Sequence, residues 1–391
     1  MKRRTFLCAM AGLVLLAGAQ IARSADEITV GITLSLSGPY ADFGREELNG
    51  VQMWVSDVNE RGMLLGRQVR LKYYDDHSDP ETSARLYEKL ISEDKVDLLL
   101  GPYSSDITLA ASTVAEKHDF PMLATGAAAD EIWERGYRNI FGLETPASHY
   151  MDLLMTVLAE HHIERIAIVY ADANFTRAVM DGVRREAANR KLDIVFDREY
   201  PQDSEDFGAL IEAAKASRPD ILIGGTYFDD AVALVRQSRA SDFSPKAFVF
   251  TVAPAVPEFG EALGSAAEGM MGVVPWMQSA HLPMGEDFAY RYRHRFGYEP
   301  GHHAAYGYGG GQTLEAAVRL AGSLDHDKLR EQFRTMRFTS LFGHYRVDQT
   351  GKQIGKSTYV MQWQHGRRRL VLPRNLREGE IIYPLTPWSA R

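Results

Sequence analysis

Ser104-Ser105 stands between an apolar, β-rich run at 96–100 and a helical pattern at 107–118. A serine pair at such a junction lies at the carboxyl end of a strand, where α/β sheets take their ligands. The free N–H groups of the helix start that follows make the same place an anion site. Ser104, Ser105 and Asp106 are equally good helix N-caps, and the two roles are compatible.

Other motifs offer less chemistry. No Gly-x-Ser-x-Gly elbow is present, so a serine hydrolase lacks its nucleophile. Gly351-Lys352-Gln353-Ile354-Gly355-Lys356-Ser357 is one residue short between its glycines for a phosphate loop and falls in a predicted hairpin between 347–351 and 359–363. Gly307-Tyr308-Gly309-Gly310-Gly311 follows no strand and reads as a flexible start of a helix. The pairs His161-His162 and His302-His303 lack the spacing that puts two imidazoles on one helical face; they read as solvated histidines, and no metal site is expected.

The elements that must position the serines alternate. Strand-like runs at 28–36, 69–74, 96–100, 120–125 and 140–144 are separated by helical patterns at 46–59, 80–93 and 107–118. The same grammar restarts downstream, with helices at 147–161, 176–189, 207–216 and 231–241 between strands at 165–170, 194–200, 221–224 and 248–252. Alternation of this kind implies parallel sheets covered by helices on both faces, and two doubly wound halves are the economical reading. Beyond Trp276 come further helices at 285–296, 311–321 and 327–336.

The chain has 391 residues, 45% of them hydrophobic and 25% charged, which places it among folded globular proteins of two or three domains. Its formal charge of -8 and the lack of a long basic run argue against nucleic acid as a partner. Residues 1–24 read as a signal peptide, with Lys2-Arg3-Arg4, an apolar run at 7–18 and the small-x-small site Ala22-Arg23-Ser24. Arg3-Arg4-Thr5-Phe6-Leu7 also fits a twin-arginine leader, so the export route stays open. Cys8 is the one cysteine and leaves with the leader. The mature chain then has no disulfide, no thiolate metal ligand and no cysteine nucleophile.

Residues 31–44 (GITLSLSGPYADFG), Tyr74-Asp75-Asp76 with Asp79-Pro80, 101–105, 121–129, Arg135-Gly136-Tyr137 and Ala267-Glu268-Gly269 together resemble the periplasmic leucine/isoleucine/valine-binding proteins, the type I solute receptors of ABC importers. The likeness covers nearly all of the mature chain. It implies an α/β fold of two doubly wound parallel-sheet lobes joined by a three-strand hinge, with ligand in the cleft between them. By analogy the chain crosses near 142–145, 275–278 and 343–346, giving an N-terminal lobe of 25–142 plus 279–343 and a C-terminal lobe of 145–274 plus 346–391. The implied setting is the periplasm, the implied partners are a small-molecule ligand and the membrane permease of an importer, and a monomer without cofactor or catalysis is expected.

Carried over residue by residue, the resemblance puts Ser105 where the family holds the ligand carboxylate, with Ser104 and Tyr103 beside it. Gly126 and Ala128 occupy the next binding segment; Ala128 keeps an N–H to donate but lacks the family's hydroxyl. Tyr227 matches a family tyrosine, whereas Phe43 and Phe175 stand where amino-acid binders carry tyrosines, and Trp276 falls near the cleft. Val252 aligns with the glutamate that pairs with the ligand ammonium, and 248–256 contains no acid. The ligand implied is a carboxylate with an apolar or aromatic body and no ammonium group. The alternatives are a hydrophobic amino acid, with Asp106, Asp172, Asp229 or Asp230 replacing the lost glutamate, and a periplasmic sensor subunit in place of a transporter. An enzyme such as an amidase finds no nucleophile–base pair in these motifs.

Overall fold

The computed structural model describes residues 27–391; the predicted leader with Cys8 lies outside the described residues. The first sheet holds β1 (Glu27–Leu34), β2 (Gln68–Asp75), β3 (Leu98–Leu100), β4 (Met122–Ala124) and β5 (Ile140–Gly142) in the order β2-β1-β3-β4-β5, all parallel. Helices α1 (Ala41–Glu60), α2 (Pro80–Ser92), α3 (Ser105–Lys117) and α4 (Glu131–Glu134) connect them. Ile28, Val30 and Ile32 on β1 are buried, and so are Thr29 and Thr33 on its other face. A parallel strand with helices on both sides has no solvated face.

The second sheet holds β6 (Arg165–Ala171), β7 (Asp193–Tyr200), β8 (Ile221–Gly225), β9 (Ala247–Thr251) and β10 (Met271–Val274). Helix α5 (Asp152–Leu158) leads into it, and α6 (Asn174–Arg190), α7 (Gly208–Ala216), α8 (Asp229–Ala240) and α9 (Pro257–Leu263) connect its strands. The predicted helix at 147–161 is shorter than its pattern, since α5 is flanked by 3-10 turns on both sides.

After β10 the chain returns to the first lobe with α10 (Gly285–Phe296), α11 (His302–Ala321), α12 (His326–Thr335) and the hairpin of β11 (Phe338–Ser340) and β12 (Gly343–Tyr345). Phe288 and Tyr308 share one apolar cluster with Ile28, Val30 and Trp54. The chain then crosses once more, and β13 (Tyr359–Gln364) and β14 (Arg367–Leu372) finish the second sheet as β14-β13-β10-β9-β8-β6-β7. Three passages between the sheets, after β5, β10 and β12, make the hinge.

Two expectations need correction. The glycine run at 307–311 is no flexible helix start, because it lies inside α11. A Cβ at Gly307 would sit 2.2 Å from the Glu47 carbonyl oxygen, and one at Gly50 would sit 2.0 Å from that of Ala304. These glycines let α1 and α11 touch backbone to backbone. The predicted hairpin of 347–351 with 359–363 does not form either. Val347 instead makes an isolated bridge with Gln353, and β13 turns back onto β14 through His365-Gly366, both with positive φ, as a two-residue hairpin requires.

The lobes are closed on each other. Asn174 Nδ2 at the start of α6 donates to Asp106 Oδ1 on α3 at 2.5 Å, and Gln202 Nε2 after β7 donates to the Tyr40 hydroxyl before α1 at 2.6 Å. The rings of Tyr40 and Tyr227 meet across the same gap with centroids 5.7 Å apart. Rigid sheets joined only by a hinge enclose ligand by approaching as bodies. Asn174→Ala with Gln202→Ala should therefore give a larger radius of gyration by small-angle scattering than the native protein without ligand. An identical radius would show that these bonds do not hold the cleft shut.

Beneath the contact of α1 with α11, Glu47 is completely buried and accepts a hydrogen bond from Thr125 Oγ1. Desolvation pushes its carboxyl up to about 8. The folded chain thus keeps a proton that the unfolded chain releases above its ordinary 4.5, so stability falls as pH rises between these values. The slope for one group is at most about 1.4 kcal/mol per pH unit. Melting temperatures of Glu47→Gln should decline less steeply than native ones between about pH 5 and 8; parallel curves would contradict this protonation.

Candidate functional site

The loop between β3 and α3 approaches β4 closely, since a Cβ on Gly101 would lie 2.9 Å from the Ala124 Cα. This presents Tyr103, Ser104 and Ser105 at the carboxyl edge of the first sheet, all buried. Ser104 occupies the N-cap position of α3, yet its side chain makes no capping bond and its hydroxyl has no partner. Ser105 Oγ accepts the N–H groups of Ala128 at 3.2 Å and Ala129 at 3.0 Å. With both lone pairs occupied, the Ser105 hydroxyl has its proton left to give. The Ala128 N–H is correspondingly engaged by Ser105, which removes the direct ligand bond expected of it.

A small cavity closes over these residues. Tyr103, Ser104, Ser105, Gly126, Ala128, Phe175, Tyr227 and Val252 all line it, brought together from both lobes. Tyr227 is 9% exposed, and its hydroxyl makes no hydrogen bond of standard geometry. The Tyr40 hydroxyl lies near those of Tyr227 and Ser104. Val252 enters the wall with φ of 50°, a backbone conformation that β-branched residues rarely adopt.

Two predicted residues lie elsewhere. Phe43 lines the broad outer mouth with Tyr40 and Gln202, where it stacks on His303 at 4.4 Å between centroids and meets Tyr103 at 5.5 Å. It backs the cavity wall and does not form it. Trp276 packs into the first lobe, its indole N–H bonded to the Leu341 carbonyl at 3.1 Å and its ring edge-on to Phe288. Its open side faces a separate depression with Glu299 and Arg368.

Six wall residues escaped the sequence reading: apolar Val273 and Pro275, and, carrying polar groups, Glu144, Tyr150, His302 and Tyr306. Glu144 is 3% exposed, and its Oε1 accepts from the hydroxyls of Tyr150 and Tyr306, the latter at 2.9 Å. Burial pushes this carboxyl up to about 7. The expectation of solvated histidines fails at 302–303. Both are buried at the start of α11, with His302 Nδ1 and both ring nitrogens of His303 lacking hydrogen-bond partners. Desolvation, helped by the neighbouring imidazole, holds His302 well below its ordinary value and therefore neutral.

The aspartates weighed as substitutes for the lost glutamate are occupied or outside. Asp106 binds Asn174, Asp172 pairs with Arg177, Asp230 accepts from the Tyr200 hydroxyl and the Tyr227 N–H, and Asp229 stands at the outer mouth. Two signals pointed to the missed residues. Glu144 follows β5 at the same sheet edge as Ser104, and His302 and Tyr306 are four apart, on one helical face.

The described residues contain no cluster of three or more potential metal ligands. The family profile described as periplasmic binding protein matches residues 27–368. A Leu/Ile/Val-binding protein homolog 7 of Brucella suis is 25% identical over 97% of this chain and 99% of its own. The leucine-specific-binding protein of Salmonella typhimurium is 30% identical over 68% of this chain and 72% of its own. The fold is shared by the branched-chain amino acid transporter substrate binding protein of Streptococcus pneumoniae in complex with isoleucine (TM-score 0.79, 21% identity, 92% and 100% covered). It is shared as well by a solute binding protein of R. palustris in complex with benzoate (TM-score 0.77, 20% identity, 88% and 95% covered). Two parallel-sheet lobes closing on a buried, donor-lined cavity fit this kinship, and the chain belongs to the periplasmic binding proteins of the leucine/isoleucine/valine-binding type, whose task is to bind a solute without transforming it.

Proposed function

We propose that this protein is the periplasmic receptor of an ABC importer, capturing a small carboxylate with an apolar or aromatic body between lobes 25–142 plus 279–343 and 145–274 plus 346–391, as a monomer that hands its ligand to a membrane permease. The observation that carries this reading is the Ser105 hydroxyl, left with a proton to donate by the two N–H groups it accepts. The hydroxyls of Ser104 and Tyr227 line the same cavity and make no hydrogen bond of standard geometry, with the Tyr40 hydroxyl near them, and buried polar groups so poorly satisfied call for a partner from the ligand. Tyr103, Phe175, Tyr150 and Tyr306 supply rings for an apolar body. The relatives and structural neighbours named above carry leucine, isoleucine or benzoate in their descriptions, and each of these ligands has a carboxylate.

The absence of an acid around Val252 argues for a ligand without ammonium, since a buried charge without its partner costs about 3–5 kcal/mol. Glu144 gives the amino-acid reading an acid in the cavity wall, so the choice is for experiment. Phenylalanine beside 3-phenylpropionate and leucine beside 4-methylpentanoate, in a thermal-shift screen, separate the two. The deaminated acids should bind; amino acids binding alone would make this an amino-acid receptor.

Ser105→Ala should weaken binding of 3-phenylpropionate about tenfold to a hundredfold, the worth of one hydrogen bond to a charged group, roughly 1.5–3 kcal/mol. It should also lower the melting temperature, because the Ala128 and Ala129 N–H groups lose their acceptor. Ser104→Ala removes a hydroxyl that makes no hydrogen bond of standard geometry and has the Tyr40 hydroxyl beside it, so affinity should fall with little loss of melting temperature. Unchanged affinity in both variants would remove the carboxylate from this site.

A further inference from the structure

The cavity wall carries two polar stations. At one, Ser104, Ser105 and Tyr227 offer hydroxyls; at the other stand Glu144 and His302, linked by Tyr306, whose hydroxyl binds Glu144 and whose ring meets that of His302 edge-on at 5.4 Å. Rings separate the stations along the wall, with Phe175 lying 6.4 Å from Tyr227 and 5.3 Å from Tyr150 between centroids. We propose that Glu144 and His302 read a hydroxyl group on the ligand, remote from its carboxylate, so that the solute is a hydroxylated acid. This inference rests on the carboxylate reading of Ser105 given above.

The chemistry of the second station selects the group. Glu144 Oε1 already receives two tyrosine hydroxyls, which leaves Oε2 to accept, and the His302 Nδ1 has no protein partner although the residue is only 4% exposed. A neutral imidazole nitrogen is either donor or acceptor according to tautomer. A hydroxyl suits both cases, donating to Glu144 and either accepting from or donating to His302. An ammonium group can only donate, so it would suit Glu144 but not the His302 tautomer that carries its proton on Nδ1, and a second carboxylate would face the Glu144 oxygens without a proton to share.

Isothermal titration of the mature protein with 4-hydroxybenzoate beside benzoate, and with 3-(4-hydroxyphenyl)propionate beside 3-phenylpropionate, tests this at two spacings. In at least one pair the hydroxylated acid should bind tenfold or more tightly than its parent, since a site built around a hydroxyl rejects the analogue that lacks it. That ratio should fall toward one in Glu144→Gln, which presents an amide N–H where the acceptor stood, and in His302→Phe, which keeps a ring. Equal affinities within both pairs, or a ratio that survives both variants, would overturn the assignment while leaving the carboxylate reading intact. Phenylalanine bound by the native protein and lost in Glu144→Gln would assign the acid to an ammonium group and overturn it too. Failure of all four acids to bind would bring down the reading of an aromatic acid without ammonium, and this inference with it.

Discussion

The contact of α1 with α11 is the constraint on which the rest depends. Glycines at 50 and 307 allow backbone atoms of one helix to approach the other at distances any side chain would forbid, and Gly311 leaves room for the Trp54 ring. Because α11 follows the second sheet in sequence, this contact draws the chain back into the first lobe after β10. A second return is then needed to complete the other sheet with β13 and β14. The multiple crossing that defines the hinge is thus the consequence of a packing preference between two helices. The same contact sets the start of α11 at the cleft, which places His302 and Tyr306 in the cavity wall.

That helix pair also explains a group of buried titratable side chains. Glu47 points inward from α1, while Glu46 is half-buried at the outer mouth with His303 beside it, Nδ1 3.5 Å from Oε2. Desolvation raises Glu46 to about 7 and lowers His303 to about 3, so acid and imidazole are both driven toward their neutral forms. Neutral groups fit here better than an ion pair, because removing two charges from water costs more than their attraction returns unless the remaining lone pairs are satisfied. His303 instead stacks on Phe43, which stiffens the cavity from behind.

Much of this was legible in the sequence. The alternation of strands and helices pointed to two sheets, and the position of Ser104-Ser105 after an apolar strand pointed to the sheet edge where the cavity lies. The failures share a cause. Phe43 and Trp276 are aromatic and near the cleft, but residue type does not reveal which side of a wall a ring occupies. Glu144 was hidden because the family resemblance implied an acid only at the position of Val252, whereas the cavity takes its acid from the end of a different strand. His302-His303 looked solvated because adjacent histidines cannot share a helical face, a rule that excludes a metal pair and says nothing about burial. The glycine run suggested mobility, while close helix packing needs glycine for the opposite reason.

The two bonds that shut the cleft, from Asn174 to Asp106 and from Gln202 to Tyr40, each have an uncharged amide as donor. Dissolved ions screen attraction between opposite charges over about 10 Å at 0.1 M, but they have little hold on a short bond from a neutral amide. The share of closure that rests on these two bonds should then be nearly indifferent to ionic strength, unlike the attraction of Arg368 for Glu46 and of Arg177 for Asp106 across the same gap. Such an amide latch holds the lobes by the same amount in dilute and in concentrated salt, and leaves only the charged pairs to respond to the medium.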